Sequence, residues 1–108
     1  MNQALQFLYM IRPARLAMLT EGPTAAEQAA VGEHFAYLQT LQASGTLVLA
    51  GRTLNTDESS FGIAIFYAES EAAAERIMRD DPAVRAGVML ATLYPYRIAL
   101  LAAHDPIG

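Results

Sequence analysis

Thr46-Leu-Val-Leu-Ala50 and Phe61-Gly-Ile-Ala-Ile-Phe-Tyr67 are short apolar runs parted only by Arg52 to Ser60, whose Asn, Asp, Ser and Glu content reads as a solvent loop. Two strands in direct succession are expected here. In the second, the large residues 61, 63, 65 and 67 share one face, while Gly62 and Ala64 leave the other face thin.

Elements on either side complete the pattern. Upstream, Thr24-Ala-Ala-Glu27 matches a capping box, in which the Thr hydroxyl and the Glu carboxylate each satisfy an orphan backbone N–H. A helix starts there, with Val31, Phe35, Leu38 and Leu41 as its inward stripe and Ser44-Gly45 as its stop. Leu5-Gln-Phe-Leu-Tyr-Met-Ile11 is apolar on both parities and reads as a strand covered on both faces. It is stopped by Arg12-Pro13, and residues 13–23 form a connector punctuated by Pro13, Gly22 and Pro23. Downstream, Ser70 caps a helix over Glu71 to Arg79, with Ala74, Ile77 and Met78 inward and Glu75 paired with Arg79 outside. Asp80-Asp81-Pro82 ends that helix, Pro82 to Ala86 makes one further turn closed by Gly87, and Val88 to Leu101 supplies a last strand interrupted at Pro95. The order is βαββαβ, which predicts an α+β, ferredoxin-like domain over residues 1–108 with a four-stranded antiparallel sheet and both helices on one face. The last strand then lies at an edge, where Pro95 is tolerated because no ladder hydrogen bond is asked of it. Strands one, three and four carry bulky apolar residues on both parities, so the face away from the helices needs a cover. A homodimer with the sheets face to face is the simplest one.

Composition narrows the function. With 108 residues there is material for one core, and 54% hydrophobic content excludes a disordered chain. Every basic residue is Arg, scattered singly from Arg12 to Arg97 in a chain of net charge −4, which argues against nucleic acid as a partner. No Cys means no thiolate nucleophile and no cysteine metal site, and no Lys means no Schiff base. His34 and His104 alone make a His-rich metal site unexpected, and no metal ligands are assigned. No stretch of 18 apolar residues exists, so no membrane span is expected, and Arg12 and Arg15 follow the first apolar run rather than preceding it, the reverse of a secretory signal. A cytoplasmic location is the default expectation.

His34 is the first candidate for chemistry. Taking Val31 as zero and about 100° per residue, Leu38 falls near about −20°, His34 near about −60° and Leu41 near about −80°. His34 thus lies inside the apolar stripe, where an imidazole needs a hydrogen-bond partner. It is either a core histidine bonded to a backbone carbonyl or a group that moves protons, and spacing leaves both open. Asp81, at the enforced break before Pro82, is its natural carboxylate partner, and it is equally suited to cap the turn that follows; two oxygens allow both roles. Arg52 could anchor a carboxylate or phenolate, or be solvated at the start of its loop. Tyr9, Tyr94 and Tyr96 offer pocket lining or plain packing. Ser59-Ser60 has no nucleophile-elbow context, and His104-Asp105 lies in an exposed tail.

The segment Glu33-His-Phe-Ala-Tyr-Leu-Gln-Thr-Leu-Gln-Ala-Ser-Gly-Thr-Leu-Val-Leu-Ala-Gly51, with its helix His and Leu-Ala-Gly strand end, resembles the YCII-like (YciI) family. Asp80-Asp81-Pro82-Ala-Val-Arg-Ala-Gly87, running into a strand with Tyr94 and Pro95, is similar to that family's Asp-Pro-x-x-x-x-Gly signature. The resemblance implies a dimeric α+β barrel of ferredoxin-like subunits and a catalytic dyad at His34 and Asp81. Two departures stand out: Arg52 follows Gly51 where relatives often have Pro, and the connector from Pro13 to Pro23 is longer than usual, both near the expected pocket mouth.

Together these features predict a small cofactor-independent enzyme. His34 would act as general acid and base, oriented by Asp81, in an elimination, isomerisation or dehalogenation on a small cyclic or aromatic substrate held by Arg52, Tyr9 and Tyr94. Two other functions fit the same barrel: a monooxygenase-like protein, cofactor-independent or using haem, and a non-catalytic ligand-binding or accessory dimer.

Overall fold

The computed structural model describes residues 5–102. Its elements run β1 (Leu5–Pro13), α1 (Ala17–Thr20), α2 (Ala25–Ala43), β2 (Leu47–Arg52), β3 (Gly62–Ala68), α3 (Glu71–Arg79), α4 (Pro82–Arg85) and β4 (Met89–Tyr96). The four strands form one antiparallel sheet in the order β2-β3-β1-β4. This is the ferredoxin-like arrangement expected from the element order, and the sheet stays open, with β2 and β4 as its edges.

Register explains which residues meet the helices. Phe7 stands opposite Phe66, Tyr9 opposite Ala64 and Ile11 opposite Gly62, and all six are buried on the helix-covered face. The intervening pairs Leu8–Ile65 and Met10–Ile63 lie on the other face by strand alternation. The Phe66 ring packs edge-on against Tyr9, with centroids 5.6 Å apart, and tilts against Phe7 at 6.1 Å. Full burial of a ring such as Phe66 contributes about 1.5–3 kcal/mol.

The local signals act as read. Thr24 and Glu27 form both halves of the capping box, at 3.1 and 2.8 Å. Ser70 accepts from the Ala73 N–H, and Glu75 pairs with Arg79 at 2.8 Å. Gly45 and Gly87 follow α2 and α4 at φ +80° and +74°, a region in which a Cβ would be strained.

Four boundaries depart from expectation. The connector of residues 13–23 contains the short helix α1, which buries Met18. β1 runs on to Pro13, because Arg12 and Pro13 still face Leu90 and Met89 of β4. β2 reaches Arg52, opposite Gly62, so Arg52 ends a strand rather than opening a loop. β4 stops at Tyr96, where its last partner is Gln6, and the Ile98 N–H bonds to the Gln6 side chain at 2.6 Å instead of a ladder carbonyl.

Candidate active site

The inward stripe of α2 is rotated from the one that periodicity suggests. Phe35, placed inward by its spacing, is 62% exposed, whereas Ala30 and Leu38 are buried and Tyr37 is half-buried. On the same helical wheel Ala30 falls near about −100° and Phe35 near about +40°, so the covered arc centres on His34. The cause is tertiary: α2 packs on α4 and β2, and the Tyr37 hydroxyl reaches across to the Ile77 carbonyl at 2.8 Å. Burial holds the Tyr37 hydroxyl protonated, with its pKa pushed up to about 12.

Asp81 sits at the start of α4 and is wholly buried. Its Oδ1 accepts from the Ala83 N–H at 3.0 Å, the capping role. Its Oδ2 lies 2.6 Å from His34 Nδ1 and also accepts from the Tyr9 hydroxyl at 2.7 Å. Both readings of Asp81 hold at once in the geometry, as its two oxygens permit. A carboxylate oxygen accepts, so the contact places the Nδ1 N–H toward Asp81 and leaves Nε2 as the ring nitrogen free for another partner. Among the described residues the His34 ring is bonded only through Nδ1, and His34, 12% exposed at its side chain, lines a cleft beside α2. Burial, followed by the bond to Asp81, drives the Tyr9 pKa well above the ordinary phenol value, so this hydroxyl remains a donor at any physiological pH.

The cleft, about 710 Å³, lies between α2, the connector and the helix-covered face of β2 and β3. It exists because that face is thin: Ala50, Gly62 and Ala64 lie under α2 where longer side chains would fill the gap. A Cβ on Gly62 would come within 3.2 Å of Ile11 and of the Gly51 carbonyl. Its walls are mainly apolar, among them Met18, Val31, Leu38 and Met89, with Gln28, Gln39, Gln42 and Ser60 adding polar groups, the mixture usual in small-molecule sites. Pro13, Met18, Leu19 and Pro23 bring the long connector into the lining, and Arg52 stands there too, so both departures noted in the sequence border the cleft.

His34, Asp81 and Tyr9 are therefore brought together, and Arg52 lines the cleft along with His34 and Tyr9. Tyr94 is not brought there. It lies opposite Leu8, on the face away from the helices, and is 45% exposed; strand alternation separates it from Tyr9. Tyr96 shares that outer face, opposite Gln6. His104 and Asp105 lie outside the described residues. The bond from Tyr9 to Asp81 spans 72 positions and had no local signature; the one available signal was the odd parity of Tyr9 with Phe7 and Ile11. Among the described residues no three His, Cys, Asp or Glu side chains are grouped to hold a metal, and no helix is long and apolar enough to cross a membrane.

Among solved structures the chain is similar to the 5-chloro-2-hydroxyhydroquinone dehydrochlorinase of Burkholderia phenoliruptrix in complex with 2,5-dihydroxybenzoquinone. The TM-score is 0.60 at 22% identity, covering 84% of this chain and 93% of that one, which shows a shared fold. A protein of Pseudomonas aeruginosa aligns over 92% of this chain and 99% of its own, at 15% identity and a TM-score of 0.49. No curated protein matches the chain. The family model of the YCII-related domain matches residues 7–95, from β1 through the last strand and across both His34 and Asp81. The chain belongs to the YCII-related domain family.

Proposed function

We propose that this protein is a small enzyme that moves a proton with His34 during an elimination, isomerisation or dehalogenation on a cyclic or aromatic substrate bound in the cleft. The observation that carries the reading is the 2.6 Å contact of His34 Nδ1 with a wholly buried Asp81 carboxylate, while the opposite ring nitrogen addresses an apolar cleft. Asp81 fixes the tautomer and stabilises the imidazolium once it forms; Tyr9 and the Ala83 N–H hold Asp81 in turn. In an elimination, Nε2 takes a proton from the substrate, and the electron pair of that bond enters the ring system. The leaving group departs from the neighbouring carbon with its own bonding pair. In an isomerisation the imidazolium returns the proton to a different carbon. Proton transfer of this kind calls for no cofactor. The dehydrochlorinase of similar fold is named for such a loss, of hydrogen chloride from a chlorinated hydroxyhydroquinone, which makes that ring the first substrate to try.

The test is turnover of chlorinated hydroquinones, followed by chloride release, and of small lactones, followed by ring isomerisation. His34→Ala should lower kcat by about 10²–10⁴-fold, the usual worth of a positioned acid–base group. Asp81→Asn should lower it as well, with less effect on KM. Wild-type turnover in His34→Ala defeats the proposal. Ligand binding with no turnover of any ring by the wild type points to an accessory protein instead.

A further inference from the structure

The charge of the cleft is opposite to that of the protein. The chain carries eleven acidic and seven basic residues, yet among the described residues no Asp or Glu lines the cleft, while Arg12 and Arg52 do. Neither guanidinium takes part in a hydrogen bond or ion pair among the described residues, whereas those of Arg15 and Arg79 are both engaged by glutamates. Arg12 and Arg52 are both exposed, and an exposed cation without a protein partner at the border of an aliphatic cleft attracts an anion whose apolar body the walls can cover.

The two arginines are not equivalent. Arg52 ends β2 opposite Gly62, which in turn faces Ile11, so it belongs to the row of residues on the helix-covered face. The neighbouring row is Tyr9, Ala64 and Ala50, and its Tyr9 bonds to the carboxylate that holds His34. Arg52 therefore stands about 7 Å along the strands from the Tyr9 row and two strands, or about 10 Å, across the sheet. Arg12 alternates onto the other face, opposite Leu90, although it too borders the cleft.

We infer that the cleft takes a small ring bearing an anionic oxygen, a carboxylate or a phenolate, with the Arg52 guanidinium as its anchor and the opposite edge of the ring turned to His34. This rests on the reading of the cleft as a substrate site, and it deepens that reading by naming the substrate class. The arrangement also suits the chemistry. When Nε2 removes a proton, negative charge moves into the ring toward its oxygen, where a fixed guanidinium favours it.

Binding tests this without turnover. Benzoate and 4-nitrophenolate supply the two kinds of anionic oxygen, and benzamide is the neutral counterpart of benzoate; each is titrated into the whole protein at constant salt by calorimetry, with NMR shifts of the His34 ring to place the ligand. At least one anion should bind about tenfold or more tighter than benzamide, the scale of one charge-assisted hydrogen bond. Which anion does so tells carboxylate from phenolate. Arg52→Gln should abolish the preference and leave benzamide binding as it was, Arg52→Lys should restore part of it, and Arg12→Gln should keep most of it. The inference is overturned by equal binding of the anions and benzamide, by no saturable binding of either anion up to about 10 mM, or by a preference that survives Arg52→Gln. Turnover separates the two proposals: anion preference that is lost in Arg52→Gln, with no turnover of any ring by the wild type, leaves Arg52 as anchor and removes the catalytic reading.

Discussion

Asp81 shows how much can rest on one carboxylate. Its oxygens accept from Ala83, His34 and Tyr9, so replacing it by Ala leaves two buried donors, the Ala83 N–H and the Tyr9 hydroxyl, with nothing to bond. We expect Asp81→Ala to lose about 3–5 kcal/mol of stability in urea unfolding, and Asp81→Asn clearly less, since its amide oxygen still accepts. A loss below about 1 kcal/mol for the alanine variant would contradict the network. Tyr9→Phe keeps the ring packed on Phe66 and removes only the hydroxyl, for an expected cost of about 1.5–3 kcal/mol at neutral pH. That cost depends on pH with a definite sign. The Tyr9 pKa is raised in the folded protein, so its contribution is complete below the ordinary value of 10.0 and is lost as pH rises above it. The stability gap between wild type and Tyr9→Phe should therefore narrow above pH 10; a gap that stays constant or widens there tells against a buried, Asp81-bonded hydroxyl.

Among the elements, α2 is tied down most firmly at its start. Glu27 closes the capping box and also takes two hydrogen bonds from Arg15, at 2.6 and 2.9 Å, which fastens the connector beside the cleft. The Arg15 guanidinium, then the Thr24 N–H, hold the Glu27 carboxyl at about 2, against an ordinary 4.5. A depressed carboxylate stabilises the fold above the unfolded-state value and ceases to do so as pH falls through the folded one. The advantage of wild type over Glu27→Gln in melting temperature should thus be full near neutrality, shrink below pH 4.5 and be gone by about pH 2. An advantage undiminished in acid would refute the pairing. The capping box was readable because its partners are three residues apart. The facing of α2 was only partly so: spacing put His34 in the stripe but also put Phe35 there, because periodicity measures the width of an apolar arc and leaves its direction to α4 and β2.

Over the whole molecule the sheet has one covered face and one that remains open. Leu90 is 55% exposed and Tyr94 45%, with Tyr96 on the same strand and Leu49 on the opposite edge strand sharing the outer side. A patch of this kind on a small domain calls for a partner, and a second copy presenting the same patch is self-complementary. We expect light scattering to give about twice the chain mass of 11.7 kDa, and Leu90→Glu to shift the protein toward monomer. A wild-type protein that is monomeric at micromolar concentration defeats this expectation. The outer face was visible in the sequence as apolar residues on both parities of the same strands, since alternation in a strand is strictly local.

The order of elements along the chain, the two longer helices α2 and α3, their caps and the composition of each sheet face follow from the chain read a few residues at a time, because turns, caps and alternation act over short range. His34 and Asp81 could be singled out for the same reason: an imidazole in an apolar stripe and a carboxylate before a proline are each unusual where they stand. Their meeting could not be derived locally, and neither could Tyr9 as the third partner, the exposure of Phe35, or the sorting of Arg52 into the cleft and Tyr94 out of it. Those are set by register and by which helix packs on which strand. They are contacts across 47 and 72 positions, formed when burial of the apolar faces brings distant segments together, and the polar groups then satisfy one another because water has left.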